Sequence, residues 1–173
     1  MHGEILTFLE RARIEAGVPE SLHRLAIVEF GAYVLNGSPR DTFPGAARYT
    51  GIDWRPGRGV DIVSLNHEAP VVEADIVLCC QVLEHDPYWE KTVQKACSLI
   101  RAGGWLFCTW AGPGYVPHEL ATAPPWTGWG PYYKNLSTEE VAAVVREALP
   151  RATVQTRYDR GTLDALLWAR QDR

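Results

Sequence analysis

Glu29, Gly31 and Gly37 fall within nine residues of one another in the stretch "IVEFGAYVLNGS", residues 27–38. A carboxylate, a bare backbone and a second glycine at this spacing suit a small-molecule ligand, because glycine permits positive φ and lets a ligand approach the main chain. A second acid, Asp53, ends "YTGID" about 20 residues after the first glycine, where a carboxylate can accept hydrogen bonds from ribose hydroxyls. A third group, "CCQVLEH" at 79–85, places Gln81, Glu84 and His85 at the end of another apolar run. His85 is a candidate general base, since an unperturbed imidazole titrates near neutrality. A structural hydrogen bond is the plainer role open to it. His118, in "VPHEL", is a second candidate from a loop, and Asp86 reads as a helix cap. No His/Asp/Glu cluster has ligand spacing, so no metal is expected.

These groups need strands to carry them to one edge. "LAIVEF" (25–30), "RYTGID" (48–53), "VDIVS" (60–64), "DIVLCC" (75–80) and "WLFCTW" (105–110) are short continuous apolar runs, as in strands buried on both faces. Ligands of such open sheets bind outside the carboxyl ends of the strands. Helices are predicted over about residues 3–16 and from Asp86 to the pair Gly103-Gly104, the latter with Pro87 at its first position and Ile100 on its apolar stripe. A third starts at Ser137, with Ser137 and Glu140 as a capping box. "TVQTRYD" and "LDALLWA" read as a terminal hairpin around Gly161. Only Trp54 to Gly59 separate the second and third strands, short for a parallel crossover.

The 173 residues suit one domain, with a net charge of −4 that argues against a broad nucleic-acid surface or an anionic-membrane surface. No apolar run approaches a membrane span, and the N-terminus lacks the basic-then-apolar layout of a signal peptide. Cys79, Cys80, Cys97 and Cys108 lack C-x-x-C spacing and read as buried free thiols, which predicts a cytoplasmic protein.

In this order the segments resemble class I S-adenosylmethionine-dependent methyltransferases, above all the bacterial group often called methyltransferase type 11. "VEFGAYVLNGSPR" is similar to that group's first-motif loop. "YTGIDWRPGRGVDIV" is similar to its second-motif segment. "ADIVLCCQVLEHDPYWEKTVQKACSLIRAGGWLFCTW" resembles its stretch from fourth to fifth strand. The match runs over about residues 25–112 and continues more weakly through "GPYYKNLSTEEV".

The resemblance implies a Rossmann-like α/β fold. Its sheet has seven mostly parallel strands in the order 3-2-1-4-5-7-6, with helices on both faces and an antiparallel C-terminal hairpin. The group often lacks a full helix at the short second crossover. The chain then divides into an N-terminal helical segment (1–24), a cofactor-binding core (25–112), an aromatic-rich loop (113–135) and a C-terminal helix and hairpin (136–173).

The cofactor implied is S-adenosyl-L-methionine. Glu29, Phe30, Gly31, Ala32, Asn36 and Gly37 would lie beside its methionine part, Asp53 at the ribose, and Trp54 against adenine or in plain packing. Gln81, Val82, Leu83 and Glu84 would pass near the sulfonium and the amino-acid end. The group usually has an acid at the third strand end for the adenine amino group. Here Leu65 stands there, and Asn66 or His67 would replace that contact.

Tyr115, Trp126, Trp129, Tyr132 and Tyr133, set among prolines and glycines, either cover a small-molecule acceptor or roof the sheet. The expected reaction is methyl transfer to that acceptor by in-line displacement. Two alternatives remain: a binding or regulatory protein on the same fold, and a nicotinamide-binding Rossmann protein. The latter is disfavoured because G-x-G-x-x-G is absent.

Overall fold

Seven strands carry the apolar runs into one sheet, and their carboxyl ends gather the acids and amides singled out above. The computed structural model describes residues 3–35, 37–117 and 132–172. The strands are β1 (Ala26–Phe30), β2 (Arg48–Asp53), β3 (Ile62–Val63), β4 (Ala74–Cys80), β5 (Ile100–Ala111), β6 (Thr153–Tyr158) and β7 (Asp164–Arg170). Their spatial order is β3-β2-β1-β4-β5-β7-β6, the order that the resemblance implies. Pairing is parallel from β3 through β5. β7 enters antiparallel between β5 and β6.

Helices α1 (Gly3–Glu15), α2 (Trp89–Leu99) and α3 (Thr138–Ala148) cover the two faces. Alternation along β1 and β4 sends Ile27, Ile76 and Leu78 to one side, where Leu9 and Ala12 of α1 meet Phe43, Phe107 and Leu166. Val28 and Val77 face the other side, against Val93 and Ala96 of α2 and Val141 and Val145 of α3. Between β1 and β2 the helical structure is one 3-10 turn, Pro39–Thr42, so α1 does much of the covering on that face. Two indole N–H groups tie helical segments to the sheet: Trp105 Nε1 donates to the Ala16 carbonyl at 3.0 Å and Trp110 Nε1 to the Leu136 carbonyl at 2.8 Å.

The short second crossover is real. No helix lies between β2 and β3; Asp61 N–H bonds the Gly51 carbonyl, and the Asp61 carboxylate accepts Gly51 N–H at 2.8 Å. The chain thus turns back beside β2 instead of crossing a full face of the sheet.

The second helix departs from its predicted bounds. It begins at Trp89, after Pro87, although Asp86 still accepts Tyr88 N–H at 2.7 Å and the Thr92 hydroxyl at 2.6 Å. It ends at Leu99, and Ile100 through Gly104 belong to β5. Pairing decides this: Ile100 sits beside Ala74, and Gly103 and Gly104 exchange backbone bonds with Gln171. Residues that look like a helix stop therefore open a strand. No helix of the described residues is long and apolar enough to cross a membrane, and all four cysteines are free and buried.

Candidate functional site

At the end of β1 the chain turns at Gly31, whose φ of +71° belongs to the left-handed region that glycine enters at little cost. Space closes the position as well, since a Cβ there would lie 2.1 Å from Val82 Cγ2. The loop then crosses the end of β2. Ala32 N–H bonds the Ile52 carbonyl, Tyr33 N–H the Asp53 Oδ2, and Val34 N–H the Arg58 carbonyl. Asp53 is 5% exposed, and its Oδ1 takes Arg55 N–H at 2.8 Å. Two main-chain donors fix this carboxylate without using all its lone pairs, so it can still accept from hydroxyls. The Arg55 guanidinium lies over the rings of Tyr33 (4.5 Å) and Trp54 (5.3 Å), which holds Trp54 half-buried at the strand end.

Glu29 is buried below this turn. Tyr49 Oη donates to Glu29 Oε2 at 2.6 Å, and burial pushes the Glu29 carboxyl up to about 7 against the lowering effect of that bond. The Tyr49 hydroxyl is pushed above its ordinary range by burial and by Glu29. Arg40, whose guanidinium sits 4.2 Å above the Tyr49 ring, is the nearby cation that favours the carboxylate.

After β3, Asn66 and His67 lie in a 3-10 turn, Asn66–Glu68. Asn66 shares a side-chain hydrogen bond with Asp86, and its buried Oδ1 has no hydrogen-bond partner among the described residues. The His67 ring packs on Tyr88 at 4.5 Å. After β4, Gln81 has φ +57°, an uncommon conformation for a side-chain-bearing residue, with its N–H bound to the Thr109 carbonyl at 2.7 Å. Its amide nitrogen Nε2 is buried with no partner among the described residues. Phe30 and Leu83 are core residues with no exposure, Ala32 is buried, and Gly37 has positive φ.

Glu84 points elsewhere. It has no exposure, and its Oε1 accepts Ala111 N–H from the end of β5 at 3.1 Å, while Oε2 has no partner among the described residues. Burial raises this carboxyl to about 7, and the neighbouring Asp164, itself 3% exposed at the start of β7, adds to the rise. Tyr115 and Tyr133 feel the same two charges, and burial together with them raises the Tyr133 hydroxyl to about 12. The His85 ring meets Tyr133 edge-on, 5.2 Å between centroids.

The candidate residues therefore form two groups. Gly31, Asp53, Trp54, Gln81 and Val82 cluster at the ends of β1, β2 and β4. Glu84, His85, Tyr115 and Tyr133 gather over β5 and β7, while half-buried Tyr132 lies near Lys134 and Asp86. Asn36, His118, Trp126 and Trp129 lie outside the described residues. Sequence reasoning missed Tyr49 and Asp164. Tyr49 is reached only through the pairing of Glu29 with Gly51. The one available sign for Asp164 was an acid heading the apolar run "DALLWA".

No family model and no curated protein sequence matches the chain. Solved structures do. The N-methyltransferase NodS from Bradyrhizobium japonicum, in complex with S-adenosyl-L-homocysteine, superposes with a TM-score of 0.63 at 16% identity, covering 98% of this chain and 87% of that one. The Burkholderia thailandensis 1,6-didemethyltoxoflavin-N1-methyltransferase, with bound 1,6-didemethyltoxoflavin and S-adenosylhomocysteine, gives 0.65 at 16% identity, covering 97% and 78%. The [4+2]-cyclase SpnF gives 0.66 at 13% identity, covering 95% and 81%. At these identities the likeness establishes the fold, which is that of the class I methyltransferases. The cyclase is a reminder that one fold serves several chemistries.

Proposed function

We propose that the protein transfers a methyl group from S-adenosylmethionine to a small-molecule acceptor. The observation that carries this reading is the joint placement of Gly31, Asp53 and Gln81: a left-handed turn walled by Val82, a buried carboxylate one strand away, and a buried amide nitrogen lacking a partner among the described residues. These groups fit the cofactor's chemistry. Asp53 would accept the ribose hydroxyls, the Gln81 amide would donate to the amino-acid carboxylate, and the bare main chain at Gly31 would admit close approach. Asn66 Oδ1, also buried and without a described partner, would accept from the adenine amino group in place of the acid that Leu65 replaces. Trp54 would flank the ring.

When bound, the cofactor supplies an electrophilic methyl on a sulfonium. The chain's own part is orientation: Val82 and the Gln81 turn fix one wall, and the aromatic side chains of Tyr115 and Tyr133 border the acceptor side. Holding nucleophile and methyl in line supplies much of such a rate enhancement. An acceptor that must lose a proton would find His85 at the strand end beside Tyr133.

Calorimetric titration with S-adenosylhomocysteine, with NAD in parallel and Asp53→Ala as control, tests this. Saturable binding of the homocysteine compound, weakened in the variant, supports the reading. No heat with a folded protein rejects it, and heat with NAD alone replaces it. Binding of S-adenosylhomocysteine without methyl transfer to any acceptor would favour the non-transferring alternative.

A further inference from the structure

The carboxyl ends of β4 and β5 and the start of β7 bring together a second constellation, apart from the Gly31, Asp53 and Gln81 group to which the cofactor is assigned. Glu84 comes from the turn after β4 and Asp164 from the first position of β7. They are far apart in sequence, but the strand register brings them together: Asp164 pairs with Ala111, whose N–H bonds Glu84 Oε1. The second oxygen, Oε2, is buried with no partner among the described residues.

A buried carboxyl oxygen without a donor is costly, and a second acid beside it increases the cost. No Lys or Arg among the described residues forms an ion pair with Glu84. Lys134, whose N–H bonds the Glu84 carbonyl, sends its ammonium to Glu140 at 2.9 Å and over the Trp89 ring. The phenol rings of Tyr115 and Tyr133 lie within the field of both acids. Above about pH 7, where Glu84 is ionised, two carboxylates beside phenol side chains are the environment that a cationic amine prefers, through charge-assisted hydrogen bonds.

We propose that Glu84 Oε2, with Asp164 and the Tyr115 and Tyr133 rings, forms a subsite that selects an amine-bearing acceptor over its neutral isostere. The word acceptor rests on the methyl-transfer reading; the amine selectivity rests on this constellation alone. Glu84 is a binding group in this scheme, donating no proton and forming no bond.

The test uses the full chain with 13C-carboxyl-labelled Glu and Asp, titrated with benzylamine and with benzyl alcohol while the Glu84 carboxyl resonance is followed by NMR. Glu84→Gln assigns the signal, and Asp164→Asn serves if that variant does not fold. Benzylamine should shift the resonance saturably and benzyl alcohol should not. Loss of the charge should weaken amine binding by about tenfold or more, as for a charged hydrogen bond. An equal response to the alcohol overturns the proposal, as does a resonance unmoved by millimolar amine or an affinity unchanged in both variants. Calorimetry with S-adenosylhomocysteine on the same wild-type protein separates the two readings. Its failure rejects methyl transfer and leaves the amine result standing, and the converse holds equally.

Discussion

Gly31 and Val82 touch across the ends of β1 and β4, with the glycine's missing side chain taken up by a valine methyl: a Cβ on Gly31 would fall 2.1 Å from Val82 Cγ2. The contact joins the loop after β1 to the turn after β4, so one substitution disturbs both walls of the proposed cofactor site.

Gly31→Ala should therefore destabilise by about 2 kcal/mol or more, from positive φ and overpacking together. Adding Val82→Ala should recover the steric part and leave the backbone part. Urea unfolding of the double-mutant cycle measures the coupling. Simple additivity would mean that the two residues do not meet.

Asp53 holds two main-chain N–H groups as well as the proposed ribose hydroxyls. Asp53→Ala should lower S-adenosylhomocysteine affinity by about 10- to 100-fold and also reduce stability, because Tyr33 and Arg55 N–H lose their acceptor. Asp53→Asn keeps one carbonyl acceptor and should recover stability more fully than affinity. Calorimetry paired with thermal melting distinguishes the two losses.

Stability should fall as pH rises from about 4.5 to about 7. Glu29 and Glu84 each bind a proton more tightly in the folded protein than at the ordinary value of 4.5. Their contribution is therefore fully present below 4.5 and lost as pH passes through about 7. The linkage amounts to on the order of 3 kcal/mol for each group. Glu29→Gln, which can still accept from Tyr49, should flatten about half of that slope. Denaturant midpoints across this range decide it, and an unchanged slope would place the proton elsewhere.

Ser137→Ala removes the side-chain half of a capping box in which Ser137 Oγ accepts Glu140 N–H and Glu140 Oε2 accepts Ser137 N–H. A loss of about 1 kcal/mol is expected, with S-adenosylhomocysteine affinity unchanged. A change in affinity would tie α3 to the site.

Legibility followed the range of the interactions. β1, β2, β4 and the start of α3 could be read locally, because a short apolar run or Ser-x-x-Glu says what it is within a few residues. The end of α2 could not. Gly103-Gly104 has the look of a helix stop until pairing with Gln171 and the placement of Ile100 beside Ala74 override it. Gly31 and Asp53 were visible as a motif, but Glu29 could not be matched with Tyr49 without the strand register. Glu84 and Asp164 were harder still, since no local pattern links residues on the two sides of a sheet insertion.

The insertion of β7 between β5 and β6 has a consequence for biosynthesis. While a ribosome is still adding residues beyond 111, β5 has β4 on one side and an open hydrogen-bonding edge on the other, with Trp105, Phe107 and Trp110 along it. Nothing closes that edge until residues 164–170 emerge, and the packing of α1 against β7 waits on the same event. The nascent chain thus exposes an apolar strand late in translation, when pairing with another chain competes with folding. Chaperone demand should be set by the interval between β5 and β7.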